Sequence, residues 1–82
     1  MTTVERLPDD VDSLQGRLDR LDVELLRLVR ERTALARRLD NARAQAGEPR
    51  YAHDRDLALV RRCGQVGPGG ADLAALLLRL SR

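Results

Sequence analysis

One apolar stripe runs through almost half of this chain. From Val11 onward, apolar residues recur at spacings of three and four: Val11, Leu14, Leu18, Leu21, Leu25, Leu28, Leu35, Leu39, Ala42 and Ala46. That is the period of one face of an α-helix. No proline interrupts the run until Pro49, and Gly47 is placed to stop it. Asp9 and Asp10 come directly after Pro8 and can cap the start, while Asp12 adds favourable charge to the first turn. Gly16 lies within the run but opposite the stripe. The predicted helix has roughly 36 residues and is about 54 Å long at 1.5 Å per residue.

Such a helix is too long for the rest of the chain to cover. A compact monomer of 82 residues has a radius of gyration of about 12 Å. The remainder of the chain, beyond the long helix, reads as two short ones. The second begins near Asp54, a candidate N-cap, and ends near Gly64, with Leu57, Val60 and Cys63 along one side. The stretch from Gly64 to Gly70 is a turn by composition. A third helix runs from Ala71 to about Ser81, with Leu73, Leu76, Leu77 and Leu80 on its apolar face. Two helices of about ten residues cannot wrap one of about 54 Å. The expected fold is therefore all-α: a three-helix protomer in one domain, residues 1–82, with residues 1–8 as a flexible tail. The leftover stripe predicts an intertwined homodimer in which two long helices pack together.

Composition agrees and excludes other classes. The chain is 43% hydrophobic and 34% charged, with Tyr51 its only aromatic residue, which argues against strands. All fifteen basic residues are arginine, yet interleaved acids leave a net charge of only +2. Nucleic-acid binding would call for a denser basic face or aromatics for stacking. The longest apolar run, Leu73 to Leu78, is too short to span a membrane. Cys63, the single cysteine, permits no intrachain disulfide and reads as core filling; with no signal peptide, the expected compartment is the cytoplasm. The glycine-rich stretch before the third helix lacks the Gly-Lys-Ser/Thr ending of a phosphate loop.

One residue breaks the stripe. Arg32 falls between Leu28 and Leu35, where a leucine is expected. A permanent cation on a packing seam needs an anion beside it, or it costs stability. Arg43 comes eleven residues later, close to three full turns, so the two arginines share a side of the helix. Between them, Ala36 and Ala42 leave space beside the seam. Arg55 and Asp56 come next, at the start of the second helix. Three guanidinium groups near one cavity suit a small molecule carrying more than one carboxylate. Each residue also has a plain structural reading: Arg32 as a register-fixing seam residue or the partner of an acid on another helix, Arg43 as a solvated side chain, Arg55 and Asp56 as helix-end charges. No Ser-His-Asp set and no metal-ligand cluster is present, and His53 reads as a solvated loop residue. An enzyme built this way would need neither covalent catalysis nor proton transfer. A pericyclic rearrangement fits, since its site need only hold a reactive conformer and stabilise charge developing on a leaving oxygen. No metal and no cofactor is expected.

These residues resemble those of a known family. The stretch Leu14-Gln15-Gly16-Arg17-Leu18-Asp19-Arg20-Leu21-Asp22-Val23-Glu24-Leu25-Leu26 is similar to the opening of the all-α bacterial chorismate mutases. Arg32, Arg43, Pro49 and the Arg55-Asp56 pair stand at that family's spacing. The segment from Val66 to Leu80 resembles the short actinobacterial branch, which includes intracellular mycobacterial members. The resemblance implies a three-helix protomer in an intertwined dimer, and the Claisen rearrangement of chorismate to prephenate on the shikimate route to aromatic amino acids. Chorismate carries two carboxylates and would supply the anion that Arg32 lacks. By resemblance, Arg32 and Arg55 hold carboxylates. Arg43 sits near a carboxylate and the ether oxygen whose bond breaks, and Asp56 takes a glutamate position that meets the substrate hydroxyl.

The departures from the pattern carry their own expectations. The family places an arginine at the position of Gln15, reaching into the partner protomer's site. Losing one charge-assisted contact costs roughly 1.5–3 kcal/mol, about ten- to a hundredfold in transition-state binding. Ala52 stands at a substrate-binding loop position that is often aspartate. Ser81 is the candidate for a polar residue closing the site at the end of the third helix. The resemblance thus implies a mutase that is weak alone and activated by complex formation with DAHP synthase. Two other readings keep the fold: a mutase or lyase acting on 4-amino-4-deoxychorismate or isochorismate, and a non-catalytic dimerisation or regulatory module.

Overall fold

The chain enters its first helix at Asp10, whose carboxylate accepts a 2.7 Å hydrogen bond from the Ser13 backbone amide. That bond satisfies one of the amides that a helix start leaves unpaired. The computed structural model describes residues 9–49 and 52–82; the expected tail, residues 1–8, lies outside the described residues. Helix α1 spans Val11–Gln45, 35 residues without a break. It stops as the sequence predicts. Gly47 takes φ +79°, a left-handed conformation that costs glycine little. The Glu48 amide then reaches back to the Arg43 carbonyl at 2.8 Å and the Gly47 amide to the Ala44 carbonyl at 3.1 Å, closing the helix end.

Helix α2 spans His53–Gly64 and α3 spans Gly70–Leu80. Two local expectations need correction. The N-cap of α2 is Ala52, not Asp54, and it makes no side-chain capping bond. Asp54 and Asp56 lie instead in the first turn, where their charge still favours the helix N-terminus. His53 is accordingly the first, exposed residue of α2 rather than a loop residue.

The small core lies between α2 and α3. Leu59, Cys63 and Ala74 are buried, and Leu77 and Leu78 pack against them. Cys63 is core filling, as expected. Leu57 and Val60, expected on the packed side of α2, are each 41% exposed, and Leu73, Leu76 and Leu80 of α3 are also exposed. The reason is geometric: Leu59 and Cys63, four apart, already form the face that meets Ala74, and the other leucines lie beside that face. The helices meet closely where α3 begins. A Cβ built on Gly70 would lie 2.2 Å from the Cys63 carbonyl oxygen, so only glycine fits.

Helix α1 is barely covered. It touches α3, where the Arg37 guanidinium donates to the Leu80 carbonyl at 2.9 Å, while its Cα atoms stay beyond 8 Å from those of α2. Along the stripe, Leu18, Leu21 and Leu25 are all more than half exposed, and only Ala36 and Asp40 of α1 are buried. The chain measures 55 × 25 × 24 Å, with a radius of gyration of 17.6 Å, well above the roughly 12 Å of a compact chain this long.

Candidate active site

Arg32 lies two helical turns before Asp40, with Ala36 between them and Arg43 almost one turn beyond. These four positions therefore share one face of α1. The methyl of Ala36 leaves a hollow there. Together with the start of α2 it opens into a groove of about 490 Å³ lined by Leu28, Glu31, Arg32, Leu35, Ala36, Leu39 and Arg55.

The groove brings together two of the expected cations, Arg32 and Arg55, from different helices. Arg32 is half-buried. Its Nη1 is shielded from solvent and has no hydrogen-bond partner among the described residues. The nearest acid in sequence does not neutralise it. Glu31 lines the groove, but its carboxylate accepts from Arg27 at 2.9 Å. Arg27 also grips Glu24 through two bonds of 3.0 and 2.6 Å. The hydrogen bond from Arg27 holds the Glu24 carboxyl below its ordinary pKa, and the bond to Glu24 raises that of Arg27 in turn.

Arg55 is paired. Its Nη2 donates to Asp40 Oδ1 at 2.8 Å. Asp40 is 2% exposed, and its second oxygen is buried without a hydrogen-bond partner among the described residues. Sequence reasoning missed this residue, since an acid on a charged helix reads as a solvated one. A signal was nevertheless present: Asp40 falls four residues after Ala36 and three before Arg43, on the face already assigned to the site.

The remaining candidates are not among the residues that line the groove. Arg43 is half-buried, and its Nη1 is another shielded donor without a partner among the described residues. Asp56 is half-buried; one carboxylate oxygen pairs with Arg82 and the other is buried and unpaired. Ala52 caps α2 one turn before Arg55. Ser81 is buried, and its hydroxyl bonds to the carbonyls of Leu77 and Leu78 at 3.2 and 3.1 Å. Gln15 is exposed and donates to Asp19 at 2.9 Å. It lies seventeen residues before Arg32, about 25 Å along the helix, so it cannot serve the same protomer's groove.

The Nη1 atoms of Arg32 and Arg43 and one carboxylate oxygen each of Asp40 and Asp56 are thus shielded without a hydrogen-bond partner among the described residues. Buried polar groups ordinarily find partners. A ligand offering both carboxylates and a hydroxyl would complete these. Among the described residues there is no cluster of His, Cys, Asp and Glu able to hold a metal ion, and no helix is long and apolar enough to cross a membrane.

The sequence profile of the chorismate mutase type II family matches residues 14–80. This chain belongs to that family. Over 73 residues it is 41% identical to the intracellular chorismate mutase of Mycobacterium tuberculosis, covering 89% of this chain and 70% of the relative. The Mycolicibacterium smegmatis intracellular chorismate mutase is 35% identical over 81 residues, covering 98% of this chain and 77% of the relative. Among solved structures, a complex of DAHP synthase and chorismate mutase from Corynebacterium glutamicum with a bound transition-state analogue contains a similar chain. Its TM-score is 0.79 at 30% identity, with 88% of each chain covered. The all-α, three-helix protomer expected from the sequence is therefore the fold of a mutase family.

Proposed function

We propose that this type II chorismate mutase family member rearranges chorismate to prephenate, working as a homodimer and gaining activity in complex with DAHP synthase. The observation that carries the reading is Arg32: a seam cation with a shielded, unpaired Nη1, facing a groove that a second arginine enters from α2.

The chemistry asks little of proton donors. One C–O bond breaks, one C–C bond forms, and no proton is exchanged. Arg32 and Arg55 hold the two carboxylates and so select the folded conformer in which the reacting carbons meet. Arg43 faces the ether oxygen, where negative charge grows as the C–O bond stretches. The free oxygen of Asp56 accepts from the ring hydroxyl. Ala52 and Ser81 border the ring side of the site.

The dimer accounts for the uncovered stripe. Burying a leucine side chain contributes about 1.5–3 kcal/mol, and α1 leaves Leu14, Leu18, Leu21, Leu25, Leu28, Leu35 and Leu39 at 40% exposure or more. A second α1 covers them and brings Gln15 of one protomer to the groove of the other. As an uncharged amide, Gln15 leaves each site one cation short, the basis for weak activity alone. The non-covalent complex of DAHP synthase and chorismate mutase from C. glutamicum is the precedent for such a partner.

Loss of chorismate absorbance, with chromatographic identification of the product, tests this. Prephenate formation, enhanced by DAHP synthase from the same organism, is expected. Turnover only of 4-amino-4-deoxychorismate or isochorismate would move the substrate assignment. No turnover in any combination would leave a dimerisation or regulatory module.

A further inference from the structure

Helix α2 stands off from the backbone of α1. No Cα atom of one comes within 8 Å of the other, yet Arg55 of α2 reaches the α1 groove. An arginine side chain spanning such a gap has many rotamers and loses entropy when fixed in one. Something must hold it. The group in contact is Asp40, whose Oδ1 takes Arg55 Nη2 at 2.8 Å. This is a charge-assisted bond at a nearly solvent-free position.

Asp40 is a costly choice for mere packing. A carboxylate 2% exposed with one oxygen unpaired loses hydration that a single bond does not restore. It also adds negative charge to a site proposed to bind a dicarboxylate. Alanine at this position would extend the small-residue face of Ala36 without either cost. We infer that Asp40 is a positioning residue: it struts Arg55 across the α1–α2 gap, so that the rest of the guanidinium fork is presented to the substrate carboxylate. Its second oxygen lies one turn from Arg43, whose Nη1 is also unpaired. The strut therefore borders both the carboxylate-binding and the ether-facing arginines.

The inference rests on the proposed function for its substrate but not for its geometry, and two measurements separate them. The first is nuclear magnetic resonance of the Arg55 guanidinium in the unliganded protein. Slow rotation about the Nε–Cζ bond is expected in the wild type, and fast averaging in the isosteric Asp40→Asn. Free rotation in the wild type, or identical signals in the two, would overturn the strut whatever the activity. The second is kinetic, with chorismate. Asp40→Asn should raise KM about tenfold with kcat within about threefold, and should add no further loss in an Arg55→Ala background. A lower KM would instead mark Asp40 as a competitor for Arg55. An equal, additive loss in both backgrounds would mark a packing residue. A restrained Arg55 in a wild type that turns over no chorismate would keep the strut and refute the substrate. Should Asp40→Asn not fold, the wild-type rotation measurement decides alone.

Discussion

Arg32→Leu sets stability and activity against each other. In the protomer, Arg32 occupies a leucine position of the α1 stripe and carries a shielded Nη1 without a partner among the described residues. Leaving a buried polar group unsatisfied costs about 1–3 kcal/mol. Because Arg32 is only half-buried, the lower half of that range applies, roughly 1–2 kcal/mol per chain. Leucine removes that cost and continues the run from Leu28 to Leu35, so the unliganded variant should be the more stable protein. Its thermal midpoint, at a fixed protomer concentration, should rise by several degrees. Activity should move the opposite way. A paired guanidinium–carboxylate contact expressed in the transition state is worth about 3–4 kcal/mol, so kcat/KM for chorismate should fall roughly 10²–10³-fold. Differential scanning calorimetry and initial rates on the same preparation suffice. A variant that melts lower and keeps its kcat/KM would refute the reasoning, since Arg32 would then be neutralised by an acid across the seam.

Three further outcomes depend on single residues. Leu21→Arg places a charge on the stripe where the protomer leaves the side chain 66% exposed; sedimentation should move from twice 9.2 kDa towards the protomer mass, with loss of turnover. Gly70→Ala cannot be accommodated against the Cys63 carbonyl, and forcing α2 and α3 apart there should lower stability to urea by about 2–3 kcal/mol. Gly16→Ala meets nothing closer than an Arg20 side-chain nitrogen at 3.9 Å, and should raise the thermal midpoint through about 1 kcal/mol of helix propensity per protomer.

The long helix could be read from the sequence because its period, its capping aspartates and its terminal glycine agree with one another over about ten turns. The short helices were legible only in existence. Asp54 is the better capping residue by chemistry, yet the backbone turns helical at His53 and places Asp54 within the first turn. Leu57 and Val60 share an apolar pattern with Leu59 and Cys63, and the pattern alone does not say which pair meets α3. The same limit hid Asp40. Sequence distance put Arg32 and Arg43 on one face, but a contact across 15 positions, from α1 to α2, depends on how the intervening turn returns the chain. Arg32 and Arg55, marked from spacing and resemblance, do line one groove.

The unbroken course of α1 also restricts what sequence change the family member can absorb. Between Gln15 and Arg32 there is no joint: no proline and no loop, and the one glycine, Gly16, sits in continuous helix. Adding one residue there would turn everything beyond it by about 100° and move it by about 1.5 Å. The helix would survive and the arginine face would point elsewhere. A change of length in the connections on either side of α2, between Gln45 and His53 or between Gly64 and Gly70, would leave that spacing along α1 untouched. The first helix acts as a ruler whose divisions are single residues.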